Sequence, residues 1–140
     1  MVLVDSSIWI EAARRNGDLT VKVALEALLD ESEAAWCGPV KLEVLGAARK
    51  EERRAMEHYF AVIPYVPLRD EAWEHAKQLA WKVRDGGLTV PWNDILIASI
   101  SLTLGCRVYA QDKHFDALAP LAGLSLYKPS YGGSFNPRVE

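Results

Sequence analysis

The sequence predicts an α/β protein, a three-layer α/β/α sandwich around a mainly parallel sheet of about four or five strands. Three observations predict it. Short strand-like runs, Val2-Leu3-Val4, Ala34-Ala35-Trp36-Cys37 and Arg107-Val108-Tyr109-Ala110-Gln111, alternate with longer helical segments, the pattern of a parallel sheet covered by helices. The segment from Pro91 to Leu104 is almost wholly apolar at helical length, as expected of a helix buried between neighbours. The chain has 140 residues, 50% hydrophobic and 25% charged, which fits one domain burying roughly two-thirds of its unfolded surface.

The elements follow in order. Val2-Leu3-Val4 is a buried strand that runs through Asp5-Ser6-Ser7 into a helix from about Ser7 to Arg15. Asn16-Gly17-Asp18 stops that helix, and Val23, Ala24, Ala27 and Leu28 give the segment from Leu19 to Leu29 an amphipathic stripe. A second strand, Ala34 to Cys37, ends at Gly38-Pro39, where proline suits the first turn of a helix carrying Glu43. Glu51 to Tyr59 reads as an exposed helix, and Pro64 makes Ala61 to Val66 an edge strand or a loop. Asp70 is placed to cap a helix through about Val83 with Ala72, Trp73, Ala76, Leu79, Ala80 and Val83 inward. The helix from Pro91 to Leu104 carries Asp94 and closes at Gly105. A strand then feeds Asp112, a short helix spans Lys113 to Leu118, and Leu124 to Tyr127 is a last strand. One domain over residues 1–128 is expected, with an irregular tail over 129–140.

Composition excludes several classes. The formal net charge of −3 gives no general basic surface, so contact with nucleic acid has to be local, from Arg14-Arg15, Lys41, Arg49-Lys50, Arg53-Arg54 or Lys113. Two cysteines, Cys37 and Cys106, are too few for a disulfide framework and read as reduced, buried thiols. No signal peptide is evident at the N-terminus, so a cytoplasmic location is expected. The longest near-apolar run, Ile95 to Leu104, is about half the ~20 residues a bilayer span needs.

Four acids stand in apolar contexts: Asp5, Glu43, Asp94 and Asp112. An ionised carboxylate near a core is costly unless cations or donors face it, so the four suggest one acidic pocket that recruits a divalent metal. Asp5, at a strand end, reads either as a helix cap or as a ligand, with Ser6 and Ser7 available to cap in its place. Glu43 shares a helical face with Val40, Val44 and Ala47 and is expected to point with the core stripe, against the alternative of a solvated glutamate at the stripe boundary. Asp94 lies on a face continued by Ile97, Ala98 and Ser101, against the alternative of a first-turn carboxylate complementing the helix dipole. Asp112 repeats the strand-end position of Asp5, and Asp116, one turn on, reads equally as site or helix-start residue. Such a cluster suits phosphodiester hydrolysis, and its all-oxygen donors favour Mg²⁺ or Mn²⁺ over zinc. His58, His75 and His114 form no spaced pair and read as surface or packing residues.

Val4-Asp5-Ser6-Ser7, Leu42-Glu43-Val44, Asn93-Asp94-Ile95-Leu96-Ile97-Ala98 and Asp112-Lys113-His114-Phe115-Asp116, in that order and separation, resemble the PIN-domain ribonucleases, and within them the VapC-type toxins of toxin-antitoxin pairs. The resemblance spans residues 2 to about 127. It implies an Mg²⁺- or Mn²⁺-dependent endoribonuclease acting on RNA as the toxin of a type II pair, inhibited by a cognate VapB-type antitoxin and commonly dimeric. It matches Asp5, Glu43, Asp94 and Asp112 to the family's acidic catalytic and metal-holding set. Ser6 matches a small hydroxyl residue that supports it, and Asp116 matches an additional acid. The chain departs from the pattern at Gly38-Pro39 and at Ala110, where the family often has Ser or Thr. Trp9 and Tyr59 are candidates for packing or a dimer face, and Trp92, beside Asn93-Asp94, for stacking on an RNA base.

Two rivals keep the fold but lack the chemistry. A receiver domain needs paired acids after its first strand and an aspartate ending a middle strand, where this chain has serines and Pro67-Leu68-Arg69. A dehalogenase-type phosphatase needs a second aspartate where Ser7 stands. A non-catalytic PIN-like or receiver-like interaction module is the remaining alternative.

Overall fold

A computed structural model describes residues 1–129. Among them are β1 (Val2–Val4), α1 (Ser6–Ala13), α2 (Leu19–Asp30), β2 (Ala34–Cys37), α3 (Gly38–Val44), α4 (Arg53–Ala61), β3 (Tyr65–Val66), α5 (Asp70–Asp85), α6 (Trp92–Leu104), β4 (Arg107–Tyr109) and α7 (Lys113–Ala122). The strands lie in the order β3-β2-β1-β4, every pair parallel, with Val2 opposite both Ala34 and Arg107. β1 and β2 are buried at every position, as strands covered on both faces must be.

Helices cover both faces to make the α/β/α sandwich. α1 packs on α2, and Phe60 of α4 lies between Trp9 of α1 and Trp36 of β2, at ring separations of 5.0 and 4.4 Å. α5, α6 and α7 pack together, with α6 also against β4, while α3 touches both α1 and α6. The chain steps from β1 outward to β2 and β3, then returns to the other side of β1 as β4. The carboxyl ends of β1 and β4 therefore flank a switch point, where open parallel sheets leave a crevice for ligands.

α6 shows why an apolar helix tolerates three hydroxyls. Ser99 donates to Ile95 O at 2.8 Å, Thr103 to Ser99 O at 2.9 Å and Ser101 to Cys106 O at 2.5 Å, so each is satisfied by local backbone. Gly105, at φ +67°, ends the helix in the left-handed conformation that glycine adopts without Cβ strain.

Several expectations need correction. Asp70 is the first residue of α5 rather than its cap, which is Arg69, and Trp73 is exposed; it lies about 100° round the helix from Ala72, outside the inward stripe. Of the two readings of Trp9, packing holds: it is buried, its indole N–H donating to Val4 O at 3.1 Å. α7 runs past Leu118 and through Pro120 to Ala122, and Gly123, at φ +69°, caps it in the left-handed conformation. Leu124 to Tyr127 forms only a bridge, Leu126 opposite Val108, with Val108 N–H donating to Ser125 O and Tyr127 N–H to Val108 O. The irregular tail expected from residue 129 lies, beyond Pro129, outside the described residues. Cys37 and Cys106 are free, and burial pushes the Cys37 thiol up to about 12, so it stays protonated. No helix among the described residues is long and apolar enough to cross a membrane.

Candidate active site

Three elements, β1, β4 and α6, deliver acids to the carboxyl edge of the sheet. Asp5 leaves β1 and caps α1: its Oδ2 accepts from Ser7 N–H at 3.0 Å and Ser7 Oγ–H at 2.6 Å. It is 4% exposed. Asp112 leaves β4 and caps α7, its Oδ1 accepting from His114 N–H at 2.9 Å. The cap reading thus holds at both strand ends, and neither Ser6 nor Ser7 caps α1 in place of Asp5. Asp94 sits in the first turn of α6, 7% exposed, and its buried Oδ2 has no hydrogen-bond partner among the described residues.

His114 completes the group. Its Nδ1 stands 2.8 Å from Asp112 Oδ1 and 3.2 Å from Asp94 Oδ2, yet makes no hydrogen bond to either. One donor atom from each of Asp94, Asp112 and His114 lies within 4.8 Å of the others. In an octahedral Mg²⁺-sized shell with ligands at ~2.1 Å, adjacent donors are ~3 Å apart and opposite ones ~4.2 Å, so the three atoms fit one cation. The unpartnered Asp94 oxygen fits it too, since a cation satisfies what no protein donor does. Beside the acids expected from sequence, the structure thus brings one imidazole nitrogen within reach of the same point. Capping places only the backbone N–H of His114 on Asp112; the imidazole's approach to Asp94 needs α6 packed against α7.

The other predicted residues are placed differently. Glu43 is exposed, not part of the core stripe. α3 ends at Val44, before Ala47, and Pro39, Val40 and Val44 are its buried residues. Glu43 nonetheless acts on the cluster, its charge raising the Asp94 pKa, and it also rims an apolar cleft of about 650 Å³ lined by Trp9, Leu25, Val44, Tyr59 and Phe60. Asp116 is exposed, with Lys128 Nζ at 2.7 Å from its carboxylate. Ser6 is buried with its hydroxyl unpartnered among the described residues, whereas Ser7, read from sequence only as a cap, bonds Asp5.

The electrostatics match a cation-seeking pocket. Burial, then the charges of Asp5 and Asp112, push the Asp94 carboxyl up to about 6. Burial raises Asp5 as well, against the lowering effect of its bonds from Ser7. Like charges held together out of water favour protonation, and a divalent cation removes the same strain.

The PIN domain family pattern matches residues 2–121. The chain belongs to the PIN-domain family. A protein named VapC ribonuclease Mb1587, from Mycobacterium bovis, is 31% identical to this PIN domain over 129 residues, covering 89% of this chain and 96% of the relative. Ribonuclease VapC11 of Mycobacterium tuberculosis matches with the same identity and coverage. Among solved structures, FitAcB from Neisseria gonorrhoeae superposes with a TM-score of 0.75 at 14% identity, over 94% of this PIN domain and 99% of that chain. VapBC-5 from Mycobacterium tuberculosis gives 0.66 at 25% identity, over 90% and 96%.

Proposed function

We propose that this PIN domain is a metal-dependent endoribonuclease, the toxin of a type II toxin-antitoxin pair. The observation that carries the chemistry is the convergence of Asp94, Asp112 and His114 donor atoms within 4.8 Å, with a buried, unpartnered Asp94 oxygen among them. Identity of 31% to VapC ribonucleases over 89% of the chain supports the substrate class. Asp94 and Asp112 hold the cation, Asp5 adds charge beside them, and Glu43 faces the cluster from its exposed rim. Asp116 joins only when Lys128 releases it, and Ser6 offers a free hydroxyl next to Asp5. Mg²⁺ or Mn²⁺, when bound, supplies Lewis acidity to the scissile phosphate and acidifies the attacking water. The imidazole, a softer donor than carboxylate, favours Mn²⁺.

Phosphate contacts with RNA would come from cations that are not already paired. Arg15, Lys50, Arg54 and Lys113 have no carboxylate partner among the described residues, whereas Arg14 pairs with Glu11 and Arg49 with Glu52. Lys113 directly follows Asp112. Trp92 opens α6 two residues before Asp94 and is 79% exposed; stacking on one base is worth ~1 to 3 kcal/mol. Trp92→Ala is expected to raise KM for single-stranded RNA about tenfold with kcat and melting temperature unchanged. An unaltered KM removes the stacking role.

Two separate apolar surfaces suit two protein partners. The cleft rimmed by Glu43 would take the antitoxin, and the exposed Trp73 and Trp81 of α5 a second copy of the chain. In a growth test, expression of the chain alone is expected to arrest cells, with arrest relieved by the neighbouring gene and absent in Asp94→Asn. Growth unaffected by the wild type, together with no cleavage of any RNA tested, favours a non-catalytic module.

A further inference from the structure

The Ser7 hydroxyl joins the two strand ends that carry site acids. It donates to Asp5 Oδ2 at 2.6 Å and accepts from the backbone N–H of Gln111 at 3.0 Å. Ser7 N–H reaches the same Asp5 oxygen at 3.0 Å. Gln111 immediately precedes Asp112, and Ala110, beside it, has no hydroxyl to offer that loop.

The link is directional. A serine hydroxyl has one proton; with it committed to Asp5, only lone pairs face Gln111, and the N–H there is the group they need. Both contacts to Asp5 fall on Oδ2, so Ser7 orients the carboxylate without engaging Oδ1. A backbone bond, Asp5 N–H to Tyr109 O at 2.9 Å, closes the same pair of strand ends one step earlier. The closure works against repulsion, because the Asp112 charge acts unfavourably on ionised Asp5.

We propose that Ser7 is a positioning residue, holding the Asp5 carboxylate against the loop that carries Asp112 and so fixing the spacing of the cation-holding group. The inference rests on the metal-dependent reading above. Groups that orient metal ligands typically account for ten- to a hundredfold in metal affinity, and a site loosened by ~0.5 Å loses its productive geometry. Capping alone would affect folding and leave the affinity of the folded protein unchanged.

The test measures Mn²⁺ affinity by titration calorimetry for the wild type, Ser7→Ala, Ser7→Cys and Ser7→Thr, with metal-free melting and Gln111 amide exchange followed alongside. Ser7→Ala is expected to weaken Mn²⁺ binding at least ~10-fold and to speed Gln111 exchange, while Ser7→Thr, which keeps the hydroxyl, stays within ~3-fold of wild type. Ser7→Cys, similar in volume and a weak donor, is expected to follow Ser7→Ala and serves if the alanine variant does not fold. Folded Ser7→Ala or Ser7→Cys binding Mn²⁺ like the wild type overturns the inference and leaves the metal reading standing. Ser7→Thr as weak as Ser7→Ala also overturns it, since the hydroxyl would then not be the cause. Wild type that binds no Mn²⁺ overturns the metal reading and the inference together.

Discussion

Asp94→Asn is expected to abolish RNA cleavage, by about 10³-fold or more, and at the same time to make the metal-free protein more stable. The loss follows from removing an anionic ligand whose cation supplies several kcal/mol of transition-state stabilisation, ~4 kcal/mol corresponding to 10³-fold. The gain follows from the same charge. Asp94 lies 7% exposed beside Asp5 and Asp112, and its carboxyl is displaced from 3.8 to about 6, a difference on the order of 1 to 3 kcal/mol against the ionised form at neutral pH. Asparagine has almost the same shape and no charge. A melting temperature higher by a few degrees is expected, at roughly 2 to 8 °C per kcal/mol for domains of this size range. A residue kept for structure would give the opposite result, lower stability with activity lost in proportion.

Metal should invert the pH dependence that Asp94 contributes. In the metal-free chain its folded pKa of about 6 lies above the ordinary aspartate value of 3.8, so the native state holds the proton more tightly than the unfolded chain. Stability from this group is therefore full below about pH 4 and lost as pH rises through 6. With Mn²⁺ the ionised form is the one bound, and the contribution is lost as pH falls through the same window. At a hundred times its Kd the cation adds about 2.7 kcal/mol. Melting curves from pH 4 to 8, with EDTA or with Mn²⁺, check this, and subtracting the Asp94→Asn curves removes the other titrating groups. Curves that coincide with and without Mn²⁺ at every pH speak against a cation site.

Much of this was legible in the sequence because it follows from short-range rules. Val2 to Val4 and Ala34 to Cys37 are too short for helices and too apolar for turns, and both are buried strands. The segment before Gly105 could be nothing but an internal helix, and Asp94 on it is buried. Misplaced residues share a different cause. Glu43 was assigned to the core on the assumption that α3 continued to Ala47, but the helix stops at Val44. Trp73 is apolar and so reads as inward, although Ala72, Leu79 and Val83 already fill that face of α5. His114 and Ser7 depend on how a cap side chain reaches its neighbours and on a contact between residues 7 and 111, which only the β1–β4 pairing creates. The Leu126 bridge forms on the other, outer side of β4, opposite Val108.

Cleavage of single-stranded RNA by the purified chain, with Mn²⁺ titrated against EDTA, tests the carboxylate site most directly. Cleavage that saturates with Mn²⁺, vanishes with EDTA and is absent in folded Asp94→Asn is the expected result. Cleavage that persists in EDTA, or in Asp94→Asn at the wild-type rate, would contradict a nuclease site built on Asp94.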